Sequence, residues 1–285
     1  DSFVFKNWQE RLFLERLERK SQPIYDLLEK TNQDWEAVLF WLLAKNFGLN
    51  TNGEIFLKIA KSIPFSIIRK ENFEFQNLEA LIFGNAGLLD SEKEDTNFKN
   101  LKFRYFYLLH KYQLEKPTIE PVHFFKHRPD NFPTIRLSQL AGLYHSQQNL
   151  FSKIIGFNSV EDIYQILAVS ASLYWQNHYQ FDKESPKKKK ALSKSFMDLI
   201  IINTIIPLQF AYAKSQGKDV LEELMQLLHE VAPEKNAIID KFNSFEIKST
   251  NAFETQSLLQ LKNEYCNKSN CLKCGIGMEL LKKEA

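Results

Sequence analysis

Residues 196–213 have the sequence F-M-D-L-I-I-I-N-T-I-I-P-L-Q-F-A-Y-A, the most apolar run in the chain. Its apolar residues do not keep to one helical face, and a helix that is apolar on all sides is normally buried by its neighbours. Asp198, Asn203, Pro207 and Gln209 interrupt the run, which falls short of the roughly 20 clean apolar residues of a membrane span. We therefore predict a buried central helix over about 196–213 in an all-α, multi-helix globular domain, with no membrane partner.

The composition of the 285-residue chain favours long helices. It has 9 Gly and 9 Pro against 24 Phe and 10 Tyr, so few residues favour turns and much aromatic surface must be buried. The 37 basic and 35 acidic residues leave a net charge of +2, and bulk charge therefore predicts no partner. No secretion signal opens the chain, from which we expect a cytoplasmic protein.

Capping residues place further helices along the chain. Thr31-x-x-Asp34 is a capping signal for a helix that Gly48 would end. Pro133 suits the first turn of another helix. No stretch alternates between apolar and polar residues for long enough to require a sheet.

Two prolines supply the best candidate for an internal border. Pro117 and Pro121 break the chain between helical patterns. We therefore predict an N-terminal helical subdomain over 1–116 and a C-terminal helical subdomain over 117–285, which share a core.

A lysine cluster precedes the apolar run. Six lysines between residues 182 and 194 oppose only Asp182 and Glu184, which leaves a local charge of +4. Such a cluster can neutralise the backbone phosphates of nucleic acid by non-specific contacts. The aromatic residues just before it could provide stacking faces for bases; these are Trp175, His178, Tyr179 and Phe181. The alternative is a solvated lysine loop.

A second polar set surrounds the predicted start of the helix at Pro133. Arg128, Asp130, Asn131, Arg136 and Gln139 lie in or beside this helix start, where backbone N–H groups favour anions. Arg136 falls within an apolar helical pattern, so it is either paired in the interior or directed into a cleft. We favour an internal pair with Asp130 or another carboxylate.

The predicted nucleic-acid contacts come from both segments. They are Lys187, Lys188, Lys189, Lys190, Lys194, Arg128, Arg136, His178 and Tyr179.

All three cysteines lie within nine positions near the C-terminus. Cys266, Cys271 and Cys274 form a C-x4-C-x2-C cluster, and its C-x2-C part is common in zinc and iron–sulfur sites. Three ligands are one short of a structural tetrahedral zinc site. The alternatives are a disulfide within the cluster and three reduced thiols at a helix junction.

The chain also resembles a known family in four stretches that occur in order. They are D-S-F-V-F-K-N-W-Q-E-R-L-F-L-E-R-L-E-R-K at 1–20, R-P-D-N-F-P-T-I-R-L-S-Q-L-A at 128–141, H-Y-Q-F at 178–181 with K-K-K-K-A-L-S-K-S at 187–195 and I-I-N-T at 201–204, and Q-L-K-N-E-Y-C-N-K-S-N-C-L-K-C-G-I-G at 260–277. Together they are similar to an uncharacterised bacterial family, domain of unknown function 2851 (DUF2851), found chiefly in Bacteroidetes.

The resemblance implies that this chain is the C-terminal portion of a longer protein. Family members resemble PD-(D/E)XK-type nucleases upstream, through an acidic pattern followed by an E-x-H element, and have a cysteine shortly before the position of Asp1. On this basis catalysis and a fourth metal ligand would lie outside the chain.

No catalytic signature occurs in the chain itself: it has no P-loop, no H-E-x-x-H and no nucleophile elbow. We therefore expect a non-catalytic helical module that binds or positions nucleic acid for a nuclease-like N-terminal domain of the same polypeptide. The alternatives are a structural or protein-interaction module, or an enzyme acting on small molecules or phosphoesters, which would need a cleft gathering Arg136, His145 or His178 with a carboxylate.

Overall fold

The computed structural model describes residues 2–157 and 159–284, with side chains for 7–157 and 159–279. Over these residues the fold is all-α, as predicted, apart from one short strand pair. The α-helices are α1 (Ser2–Lys30), α2 (Trp35–Phe47), α3 (Leu49–Lys61), α4 (Phe65–Glu71), α5 (Phe75–Asn85), α6 (Thr96–Tyr112), α7 (Pro133–Ser146), α8 (Leu150–Gly156), α9 (Val160–Leu167), α10 (Lys194–Ile200), α11 (Ile206–Ser215), α12 (Leu221–Glu230), α13 (Ala237–Ser244), α14 (Ala252–Gln260) and α15 (Gly275–Glu284).

The apolar run forms most of one helix. Helices α10 and α11 and the π-helical turn Ile201–Ile205 between them are continuous from Lys194 to Ser215. By length and composition alone this helix could cross a membrane, and 72% of its apolar window is buried inside the protein. The predicted burial of the central helix is thus confirmed.

The π-helical turn coincides with a proline. Pro207 has no backbone N–H, so a carbonyl one turn earlier loses its helical donor. Lys20 on α1 donates from Nζ to the Ile202 carbonyl at 3.3 Å and to Oδ1 of Asn203 at 2.9 Å. Burial lowers the pKa of Lys20 well below its ordinary value. The lysine thereby supplies a donor next to the position where proline removes one.

One compact unit comprises Asp1–Lys30, Asn158–Val160 and Ile201–Ala285. Its apolar cluster contains Trp8, Leu12, Ile239, Leu258, Leu259, Leu261 and Cys274. Next to this cluster, Arg16 donates from Nε to Oε1 of Gln256 at 2.6 Å, so α1 and α14 are joined by polar as well as apolar contacts.

The other compact unit comprises Thr31–Phe157 and Glu161–Ile200. Residue 117, where the prolines predict a border, lies inside this unit. At its centre the buried carboxylate of Glu79 accepts hydrogen bonds from Nε1 of Trp175 at 2.8 Å and from Oγ of Ser172 at 3.1 Å. These bonds hold residues 172–175 against α5. This segment precedes the lysine run, residues 187–190.

The strand pair also belongs to this unit. Strands β1 (His178–Gln180) and β2 (Lys183–Glu184) form an antiparallel hairpin, and Asp182 in its turn has a left-handed φ of 61°. Strands of three and two residues are too short to produce a recognisable alternation, which explains why the sequence did not predict them.

Candidate functional site

Two segments that are distant in sequence line one cleft of about 330 Å³. One segment leads into and forms the first turns of α7, and the other is the lysine run before α10. The cleft is lined by Arg128, Asp130, Asn131, Arg136, Gln139, Lys188, Lys189, Lys190, Ala191 and Ser193. Five basic side chains and one carboxylate give these residues a formal charge of +4. We call this the cationic cleft; its charge favours an anionic ligand.

Backbone hydrogen bonds hold the lysine run in place. The Lys188 amide donates to the Gln176 carbonyl at 2.8 Å, and the Ala171 amide donates to the Lys190 carbonyl at 3.0 Å. Nε2 of Gln139 donates to the same Lys190 carbonyl at 2.9 Å. The run is therefore tethered both to the segment before the hairpin and to α7, and Lys188 and Lys189 project from a fixed backbone.

Lys190 has a structural role that its exposed neighbours do not share. It is only 3% exposed, and its ammonium donates to the carbonyls of Trp175, Gln176 and His178. The same ammonium lies 3.8 Å from the ring centroid of Tyr179. Burial lowers the pKa of Lys190. Its ammonium is thus engaged within the fold, although its charge still acts on the cationic cleft.

Arg136 is a buried cation of the cleft that its neighbours hold in one orientation. Its Nη1 donates to Oε1 of Gln139 at 2.9 Å, its Nη2 donates to Oδ1 of Asn131 at 2.5 Å, and its guanidinium carbon lies 3.5 Å from the centroid of the Phe196 ring. The Nε–H has no hydrogen-bond partner. Burial lowers the pKa of Arg136 to about 10, still well above neutral pH, so the guanidinium remains charged.

The partners of Arg136 differ from the expected pair with a carboxylate. Asp130 instead accepts from Nζ of Lys188 at 2.6 Å and from the hydroxyl of Tyr179 at 3.0 Å. Burial alone would raise the pKa of Asp130, but these two hydrogen bonds and the charges of Lys188 and Lys190 together lower the pKa. Because amides orient Arg136 without neutralising it, the guanidinium keeps its full charge for a ligand.

The other predicted contact residues lie outside the lining of the cationic cleft. Lys187 is exposed. Lys194 donates to the hydroxyl of Tyr164 at 2.6 Å and lies 3.9 Å from Oδ1 of Asp198. His178 stacks on the ring of Tyr174 at 4.0 Å.

Most of the proposed stacking faces are used internally. Trp175 is fully buried, and Phe181 is 5% exposed and packs on Trp175 with ring centroids 5.1 Å apart. Tyr179 carries the ammonium of Lys190 over its ring and bonds Asp130 through its hydroxyl. Base stacking, where it occurs, would therefore have to use other rings.

The cysteine cluster lies in the first compact unit, apart from the cationic cleft in sequence. Cys266 and Cys271 are exposed, Cys274 is buried, and all three are free thiols. Burial raises the pKa of Cys266, and the neighbouring Cys274 and Cys271 thiols add to this shift against the opposing charge of Lys262. In the described part of the chain, no group of three or more His, Cys, Asp or Glu side chains is arranged to hold a metal ion. A zinc or iron–sulfur site at these cysteines stays a prediction.

The fold and the site together define an all-α protein with a cationic cleft on one compact unit. The chain belongs to the family described as protein of unknown function (DUF2851), whose model matches residues 1–237. The match includes both segments of the cationic cleft and ends before the cysteine cluster. No curated protein and no solved structure matches the chain.

Proposed function

We propose that this chain is a non-catalytic module that binds the phosphate groups of nucleic acid in the cationic cleft. The convergence of Arg128 and Arg136 with Lys188 and Lys189 carries the proposal, because two separate basic segments line one concavity. Planar guanidinium groups match the geometry of phosphate, and ammonium groups bind phosphate as point charges. The cleft would thus hold a strand by its backbone, without reading its sequence.

The chemistry of the lining supports binding rather than catalysis. The described residues that line the cationic cleft include no histidine and no cysteine, and their single carboxylate already accepts two hydrogen bonds. A general base must be free to take a proton from the reacting group. His145 bonds the Asn72 carbonyl and His178 stacks on Tyr174, and neither lines the cationic cleft with Arg136 and Asp130.

We further propose that the module positions nucleic acid for a nuclease-like domain of the same polypeptide. This part rests on the resemblance of the upstream region in family members. A binding module without catalytic groups of its own is consistent with catalysis by another domain of the same polypeptide.

Salt-dependent binding tests the proposal. The association constant for labelled single-stranded and double-stranded oligonucleotides would be measured by fluorescence anisotropy at several ionic strengths. Neutralising two exposed cations of the cleft, in Arg128→Gln/Lys189→Gln, should weaken binding. The slope of log K against log salt should fall by about 0.7 per lost phosphate contact on a single strand.

A matched control removes the same charge elsewhere on the same unit. Lys70→Gln/Lys153→Gln neutralises two exposed lysines that do not line the cleft. It should leave the affinity and the slope nearly unchanged. Absence of salt-dependent binding by the parent protein, or equal losses in both double variants, would contradict the proposal.

An interaction module is the second candidate, and exposed aromatic residues on α6 favour it. Phe103, Phe106 and Tyr107 are 73%, 54% and 55% exposed, and they lie on one helical face. Exposed apolar patches often mark contact surfaces. Concentration-dependent association that Phe103→Ser abolishes, together with no nucleic-acid binding, would favour this candidate.

A further inference from the structure

A second cleft, of about 360 Å³, lies in the same compact unit as the cationic cleft. Its apolar lining includes Leu88, Phe124 and Phe181, and its polar lining includes Gln180 and Lys183. Its volume falls within the roughly 300–1,000 Å³ of typical small-molecule sites. An apolar wall with an amide and a cation is chemistry that suits a nucleobase and its phosphate.

The β1–β2 hairpin contacts residues of both clefts. Successive residues of a strand point to opposite faces. Tyr179 on β1 bonds Asp130 of the cationic cleft, whereas the next residue, Gln180, lines the second cleft. Thr134 of α7 also lines the second cleft and donates to the Tyr179 carbonyl at 2.7 Å. The hairpin thus lines the second cleft through Gln180 and contacts the cationic cleft through Tyr179.

A row of aromatic rings leads from the second cleft to Tyr179, whose hydroxyl bonds Asp130 of the cationic cleft. The Phe124 ring lies 5.3 Å from the Phe132 ring, which lies 6.2 Å from the Tyr179 ring. At a rise of about 3.4 Å per nucleotide, a strand of about four nucleotides covers these two steps. One short stretch of a single strand can therefore reach both clefts.

The connecting segment combines aromatic and basic residues. It has the sequence F-F-K-H-R, and its first residue, Phe124, lines the second cleft while its last, Arg128, lines the cationic cleft. The buried amide of Asn52 fixes the start of this segment by donating to the His123 carbonyl at 2.8 Å and accepting from the His123 amide at 2.7 Å. Phe124 is thus presented from an anchored backbone.

We propose that the two clefts bind consecutive nucleotides of one single strand, with phosphates in the cationic cleft and an unpaired base against Phe124. This inference rests on the proposed function and specifies its ligand. A base in a duplex would have to leave its stack to reach Phe124, whereas a single-strand base is already accessible. The site therefore prefers single strands and tolerates any base, since stacking uses a surface that all bases share.

The test compares Phe124→Leu with Phe125→Leu. Phe125 is the adjacent phenylalanine, is 79% exposed and does not line either cleft, so its replacement controls for loss of an aromatic residue. Anisotropy would be measured with single strands of two to twelve nucleotides and with a duplex of the same sequence. Phe124→Leu should weaken single-strand binding about tenfold and duplex binding less than twofold, and Phe125→Leu should change neither.

Two further measurements keep the test independent of folding defects. Lys183→Gln alters an exposed side chain of the second cleft and should lower the single-strand salt slope by about 0.7. Phe124→Trp should retain binding, and its additional fluorescence should be quenched by a single strand but not by inorganic phosphate.

The outcomes separate this inference from the proposed function. An effect of Arg128→Gln/Lys189→Gln with unchanged binding by Phe124→Leu, no single-strand preference and no quenching would overturn the inference alone. Failure of every polynucleotide to bind the parent protein would overturn both. Affinity that rises up to about four nucleotides and then levels off would support the two-cleft arrangement.

Discussion

The ammonium of Lys188 lies 2.6 Å from Oδ2 of Asp130 within the cationic cleft. Asp130 is the only carboxylate among the described residues that line this cleft, so an incoming phosphate competes with it for Lys188. Asp130→Asn should therefore raise the affinity for a single-stranded oligonucleotide about threefold at low salt, since exposed ion pairs contribute up to about 1 kcal/mol. Anisotropy titrations would measure this change.

The control for this prediction is Glu54→Gln, which neutralises a carboxylate that pairs with Lys45 at 2.7 Å. Its affinity should match that of the parent protein. Weaker binding by Asp130→Asn would mean that Asp130 positions the lysine for the ligand instead of competing with it.

Lys190 should contribute to stability, in contrast to the adjacent Lys189. Lys190→Met leaves three backbone carbonyls without their ammonium donor, and we expect a loss of about 2 kcal/mol in the free energy of unfolding. Lys189→Met alters an exposed side chain and should change this free energy by less than about 0.5 kcal/mol. Urea denaturation of both variants measures the difference, and equal stabilities would refute the structural role of Lys190.

These neighbouring lysines show that a sequence pattern does not always distinguish a buried residue from an exposed one. The apolar run at 196–213 predicted the central helix correctly, because an apolar surface on all sides has to be covered. Four identical lysines at 187–190 contain no periodic signal that distinguishes the buried Lys190 from the others. Its burial depends on carbonyls of the segment 175–178, which a one-dimensional pattern does not place in space.

The cationic cleft was predictable in its parts but not as a whole. Basic clustering identified the residues around Arg128 and around Lys188 as separate candidates, and only packing brings them together.

The cap of α2 shows a second limit of prediction from the sequence. Asp34, not Thr31, caps this helix, because its side chain accepts a hydrogen bond from the Ala37 amide. Both residue types can cap a helix, so the sequence alone does not show which of the two does so.

Glu79 should make stability depend on pH. Burial raises its pKa above the ordinary value of 4.5, despite hydrogen bonds from Ser138, Trp175 and Ser172. A raised pKa means that the folded state favours the protonated acid, so this contribution is present below about pH 4.5 and is lost as the pH rises through the folded-state pKa. Glu79→Gln keeps an acceptor oxygen for Trp175 but cannot ionise.

The free energy of unfolding of both proteins would be measured from pH 4 to pH 8. The parent protein should lose stability relative to Glu79→Gln as the pH rises, and the difference should level off above the folded-state pKa. Parallel curves would show that the carboxylate ionises at its ordinary pKa and that its burial has no effect on pH dependence.

From the π-helical turn we expect the effects of substitutions at Lys20 and Pro207 on the free energy of unfolding to be coupled. Lys20→Met removes the donor to the Ile202 carbonyl and should lower the free energy of unfolding by about 2 kcal/mol. In a Pro207→Ala background the new backbone N–H can donate to a carbonyl one turn earlier. The same lysine substitution should then cost only about 1 kcal/mol.

A double-mutant cycle measures this coupling directly, since it isolates the term that depends on both residues. We expect an interaction of about 1 kcal/mol, with the double variant more stable than the sum of the single effects predicts. Additivity within about 0.5 kcal/mol would mean that Lys20 stabilises the turn only through Oδ1 of Asn203, which it also contacts at 2.9 Å. Asn203→Ala separates these two contacts, because it removes the amide oxygen and leaves the Ile202 carbonyl in place.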